Sequence, residues 1–209
     1  MSYLLIGFVA VSGFSTLTSM LNVVVLANPK LRDPTYTFLL VASILDINYI
    51  VMGISVELYQ NFCGQSPALC GSSAQYAANL LYLILSDYLT SCIAIYSILT
   101  EVFLTLQRLL MLRKIKFLRD ATIRQVGPVL AAISIVYYVP IWFVEEFRLM
   151  DAPVVYQNVT YADYRVVPTD FALYHPLGSY FIAILSGIRL FLVAVLLTVL
   201  NVLTFIAFE

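Results

Sequence analysis

The chain has 209 residues, of which 62% are hydrophobic and 11% charged, with a formal net charge of −1. Soluble domains are nearer half apolar and a quarter charged, so this is the composition of a bilayer protein. A balanced net charge gives no bulk field that points to nucleic acid, and the question becomes where the few charges lie.

Four or five stretches are long enough to cross a bilayer, which takes about 20 apolar residues. Taken as five, they cover about 3–28, 36–59, 75–112, 125–147 and 180–208. All are expected to be helices, because open strands cannot satisfy their backbone in lipid. The fold class expected is therefore all-α, a single polytopic transmembrane helix bundle over residues 1–209.

The first stretch carries no charge. It lacks a positive leading region and is too apolar for too long to be a signal peptide, so a retained helix is expected. The second is interrupted only by Asp46 and Glu57, which share a helical face with Ser43, Gly53 and the apolar Ile50. Asp46 falls near mid-membrane, about three turns from the helix start. A carboxylate at that depth marks an ion site, a proton relay or a switch by default. The plain alternative is a neutral Asp hydrogen-bonded to a neighbouring helix. Next comes "NFCGQSPALCGSS", where Cys63 and Cys70 are either a local disulfide or two free thiols.

In the third stretch Asp87, Ala94, Glu101 and Arg108 recur at steps of seven, with Thr90, Ser97 and Leu104 between them. At helical periodicity these form one small-and-polar stripe. A charge facing lipid costs several kcal/mol, so the stripe is expected to face protein or water and the helix to be central. Cys92 reads as a packed core residue, and Arg108 on its own reads as a side chain snorkelling to the headgroups. Glu101 has no assigned role.

Arg113, Lys114, Lys116, Arg119 and Arg124 follow the third stretch, and Lys30 and Arg32 follow the first, whereas the other two loops hold only Arg148 and Arg165. Cations favour the cytoplasmic side, which puts the N-terminus outside. The five cations after the third stretch suit anionic headgroups or a protein partner. Asn158-Val159-Thr160 is a glycosylation sequon in a loop placed outside by the same count. The fifth stretch carries Arg189 near its start. Enzymatic chemistry is not expected, and neither is a cofactor. His175 is the sole histidine and has no partner at metal-ligand spacing, and no G-x-S-x-G or H-E-x-x-H occurs.

Five places resemble the rhodopsin-like (class A) G protein-coupled receptors. "LRDPTYTFLLVASILD" is similar to the start of that family's second helix, where a basic residue precedes the sodium-binding aspartate by fourteen positions, as Arg32 precedes Asp46. "LTLQRLLML" stands where the family has Asp/Glu-Arg-Tyr, and Arg108 matches the arginine. Ser97, eleven residues earlier, matches a serine of the sodium pocket. "VLAAISIVYYVP" resembles the fourth helix, and "VLLTVLNVLTFIAF" the end of the fifth in invertebrate neuropeptide and orphan chemosensory receptors.

The resemblance implies a plasma-membrane receptor that transduces an extracellular peptide or other small signal to a heterotrimeric G protein. It implies sodium at Asp46 and Ser97, and coupling through Arg108 and Gln107. Glu57, Asp87, Thr90 and Arg189 become ligand-pocket candidates, with Glu145 and Glu146 on the same side. Acids predominate there, which favours a basic peptide or amine.

The chain also departs from the family. Gln107 replaces the acid that precedes the arginine, and Leu109 replaces the aromatic, which weakens the inactive-state lock. The second outer loop has no Cys, so the usual staple to helix three cannot form. A local Cys63–Cys70 bridge would leave that loop freer. The mid-helix-four tryptophan and the helix-five proline are absent, and either Asn22 or Thr18 takes the place of the helix-one asparagine. Helices six and seven have no counterpart, so the sequence is expected to be a fragment with five of seven helices, a true five-span product being the alternative. The competing class is a fragment of a polytopic ion or proton transporter or channel, which Asp46 and Glu101 would suit. Against it, the prolines lie in loops and at helix ends rather than breaking spans.

Overall fold

The computed structural model describes the chain except residues 1–2, 29, 31–32, 65–66, 116–120, 152, 157, 189–190, 192 and 209. Arg32, Lys116, Arg119 and Arg189 therefore lie outside the described residues.

The uncharged opening forms α1, Tyr3–Leu26. Helix α2, Pro34–Tyr59, begins with a proline, whose fixed φ suits a first helical position. Asp33 caps this end by accepting the Thr35 N–H at 3.0 Å. The helix widens into a π turn, Gln60–Gly64, before the short α3, Pro67–Cys70. Gly71, at φ +88°, then turns the chain into α4, Ser72–Leu81. A left-handed φ is open to glycine and strained for other residues. A π segment, Tyr82–Leu89, joins α4 to α5, Thr90–Leu112. Helix α6 is Ile123–Tyr138.

Three helical runs among the described residues are long and apolar enough to cross a membrane: Thr35–Gly64, Ser72–Leu112 and Ile123–Phe143. Val11–Leu26 and Ala194–Ala207 are shorter apolar helices.

The structure departs from the all-helical expectation between 139 and 168. The fourth stretch was expected to stay helical to 147. Instead α6 gives way to a 3-10 turn, Val139–Phe143, and then to strand β1, Glu145–Leu149. Pro140 explains the change, since its missing N–H cannot continue an α-helical ladder. Strand β1 pairs antiparallel with β4, Tyr164–Pro168, with Glu145 opposite Pro168 and Leu149 opposite Tyr164. Within this hairpin lies a second, β2 (Val154–Tyr156) against β3 (Val159–Tyr161). Arg148 faces Arg165 across the first hairpin, and each cation has an acid of its own: Glu146 at 2.5 Å from Arg148, Asp163 at 2.9 Å from Arg165. The fifth stretch is preceded by α7, Asp170–Tyr174; α8, Pro176–Gly187, runs into it, and α9, Val193–Phe208, lies within it.

Two compact units emerge. The first comprises Met1–Ile50, Ile93–Ser134 and Ile188–Glu209. Its core is Phe38, Phe103, Leu104 and Leu130, with the Phe38 and Phe103 rings 5.2 Å apart. Hydroxyls in its helices fold back onto carbonyls four residues earlier, as in Thr16 to Ser12, Thr100 to Tyr96, Ser134 to Leu130 and Thr198 to Ala194, all within 2.8 Å. The second unit comprises Val51–Cys92 and Ile135–Gly187 and holds both hairpins.

Candidate functional site

In the first unit, Ser97 on α5 donates its hydroxyl to Asp46 Oδ1 on α2 at 2.9 Å. Ser97 is buried and Asp46 half-buried. Both residues come from the mid-parts of apolar helices, where a side-chain hydrogen bond is the available means of satisfying a carboxyl. The pair offers two adjacent hard oxygens, the donor type that suits an alkali or alkaline-earth cation. Among the described residues no group of three or more His, Cys, Asp or Glu is placed to hold a metal.

The polar stripe expected along the third stretch is realised differently. Thr90, Ser97, Thr100, Leu104 and Gln107 are buried, whereas Glu101 and Arg108 are exposed. Ser97, Glu101, Leu104 and Arg108 all lie within α5, so the buried face runs along one edge of the stripe, towards Thr100 and Gln107. Gln107, 2% exposed, turns towards the approach to α6 and donates to the Ala121 carbonyl at 3.4 Å. Of the cations expected after this helix, Arg113, Lys114 and Arg124 are described, and all three are exposed.

In the second unit, a cavity of about 280 Å3 is lined by Glu57, Gln60, Asn61, Tyr82, Asp87, Glu145 and Val166. Helix α2 brings Glu57, the π segment brings Tyr82 and Asp87, and the β1–β4 hairpin brings Glu145 and Val166. Three of the lining groups are carboxylates, and none of the described ones is cationic. Of the ligand-pocket candidates, Glu57 and Asp87 meet here. Thr90 does not line this cavity; its hydroxyl is bonded to the Leu85 carbonyl within the helix. Sequence reasoning missed Gln60, Asn61, Tyr82 and Val166, which become neighbours only through the π turn and the hairpin. A second, apolar cavity of about 330 Å3 is lined by Phe143, Phe171 and Phe181.

Cys63 and Cys70 are joined as a disulfide, with Cα atoms 5.4 Å apart. Cys92 is free and buried. Asn158 is exposed at the turn of the β2–β3 hairpin, with φ +63°.

The long loop is not left free by the absence of a cysteine. Gln75, fully buried on α4, donates to Asp163 Oδ1 at 2.6 Å and accepts the Tyr164 N–H at 2.9 Å. Asn79, one turn on, donates to the Tyr164 carbonyl at 2.9 Å and to the Gly64 carbonyl at 3.2 Å. Tyr76 sets its ring edge-on against Phe147 and Tyr164, at 4.9 and 5.2 Å. The sequence signal is a pair of amides four apart at the polar start of a long apolar helix.

No protein-family model matches the chain, and no curated protein matches it either.

Proposed function

We propose that the chain is a receptor of the rhodopsin-like G protein-coupled kind, carrying an extracellular signal to a heterotrimeric G protein. The observation that supports this most is the Ser97–Asp46 hydrogen bond, which joins two residues matched to the family's sodium pocket although they are 51 positions apart in sequence. In this reading Asp46 and Ser97 hold sodium in the resting state. A ligand binding the active state better shifts the population towards it. Exposed Arg108, with Gln107 beside it, then meets the G protein.

The acid-lined cavity is the ligand's place in this scheme, and its Glu57, Asp87 and Glu145 favour a basic peptide or an amine. The protein sits in the plasma membrane with its N-terminus outside, and Asn158 carries a glycan there. The test uses the full coding sequence. Membranes containing the receptor and G protein are assayed for basal GTPγS binding in sodium chloride and in N-methyl-D-glucamine chloride. Sodium should lower the basal signal of the wild type and leave that of Asp46→Asn unchanged. Equal signals for wild type in the two salts would remove sodium from the site, and exchange no higher than in receptor-free membranes would remove the receptor reading. Glycosidase treatment should shift the wild-type band on a gel but not that of Asn158→Gln; an unshifted wild type would count against the proposed orientation.

A further inference from the structure

We propose that Gln75 and Asn79 are positioning residues that latch the β1–β4 hairpin to α4 without a covalent bond, and so fix the wall of the acid-lined cavity that the hairpin supplies. The argument starts from Tyr164, the first residue of β4. Its N–H is taken by Gln75 Oε1 at 2.9 Å and its C=O by Asn79 Nδ2 at 2.9 Å. Two helix side chains thus satisfy one strand residue as a neighbouring strand would. Gln75 also holds the preceding residue. Gln75 Nε2 donates to Asp163 Oδ1 at 2.6 Å, while Arg165 engages Asp163 Oδ2 from the other side at 2.9 Å.

The network continues to the π turn after α2. The Gly64 carbonyl accepts from Gln75 Nε2 at 3.3 Å and from Asn79 Nδ2 at 3.2 Å, and Gln60 Nε2 donates to Asn79 Oδ1 at 3.0 Å. Gln75 is fully buried, Asn79 is 2% exposed and Asp163 is 4% exposed. Buried and mutually satisfied amides are expensive to separate, because each opened bond strands a polar group away from water. Glu145 lines the cavity from the end of the register away from Tyr164, and Val166 from its middle, opposite Phe147. No thiol belongs to the network, so the hairpin should hold its place when Cys63–Cys70 is reduced.

The latch is independent of the receptor reading, and its test contains no ligand. Amide hydrogen exchange is followed by mass spectrometry on the detergent-solubilised full chain, in the peptide covering Tyr164–Pro168. Gln75→Glu sets a carboxylate against Asp163 and should speed exchange there at least tenfold. Adding Asp163→Asn reverses donor and acceptor, and the double variant should return to within threefold of wild type. Gln75→Leu should speed exchange as Gln75→Glu does; if it fails to fold, the single and swapped variants carry the test alone. Phosphine reduction of the wild-type disulfide should leave the peptide within threefold of the untreated chain. Unchanged exchange in Gln75→Glu, a swap no slower than Gln75→Glu, or reduction as disruptive as substitution would each overturn the proposal.

Discussion

The two units solve the same problem, satisfying a chain that is mostly apolar, by different means. The first has a core of two phenylalanines and two leucines, and its hydroxyls are satisfied within their own helices. Ser97 to Asp46 is the exception, a side-chain pair that reaches between distant helices. The second is held by amides and carboxylates 85 to 89 positions apart, by edge-on aromatic rings and by a disulfide. Side-chain volume positions the first unit and hydrogen-bond direction positions the second. Substitutions that remove volume should therefore damage the first, and substitutions that remove direction should damage the second.

The largest effect is expected at Phe38, fully buried against Phe103. Phe38→Ala should cost about 4 kcal/mol through lost burial and the cavity left behind. Reversible unfolding of the chain in mixed micelles measures it, and a cost under about 1 kcal/mol would mean that volume does not position this unit.

Asn79→Leu keeps most of the volume and deletes the direction. It strands the Tyr164 carbonyl and the Gln60 amide and leaves the Gly64 carbonyl to Gln75 alone, and about 3 kcal/mol of destabilisation is expected. The same assay reads it, and near-neutrality would erase the contrast between the units.

A third substitution tests close backbone approach in the second unit. A Cβ on Gly178 would lie 2.2 Å from the Phe171 carbonyl oxygen, a backbone atom that cannot step aside alone. Gly178→Ala should cost about 2 kcal/mol by forcing α7 and α8 apart, and proteolysis at the α7–α8 corner should quicken in step. An unaltered cleavage rate would show that the corner relaxes freely.

The smallest effect is expected from Ser97→Ala, about 1 kcal/mol, because Asp46 is half-buried and a single hydrogen bond is modest in net terms. A loss as large as that of Asn79→Leu would give the first unit the polar dependence assigned to the second.

The long apolar helices were legible in the sequence. The stretch from 36 to 59 is helical within Pro34–Tyr59, and that from 75 to 112 lies within Ser72–Leu112, because long apolar runs have few other ways to satisfy their backbone. The meeting of Asp46 and Ser97 rested on a resemblance; spacing alone gives no pairing between helices. The hairpins were not legible. Glu145, Glu146 and Phe147 fit a helix as well as a strand, and what decides for β1 is its distant partner strand, which sets Val166 opposite Phe147. Gln75 and Asn79 were invisible for a similar reason: their role lies in Asp163 and Tyr164, and nothing local announces so distant a match. The exposed positions of Glu101 and Arg108 escaped the helical wheel, which orders residues around a helix without saying which edge of a stripe a neighbour covers.

The hydroxyls that bond back to their own helices have a consequence for how this sequence drifts. Thr16, Thr18, Thr198 and Thr204 ask nothing of a neighbouring helix. An isosteric exchange of threonine for valine there deletes donor and obligation together and frees a carbonyl that is still bonded within the ladder. Such positions can flip between polar and apolar spelling across generations while the architecture stands still, so the text of these helices can be rewritten faster than their shape.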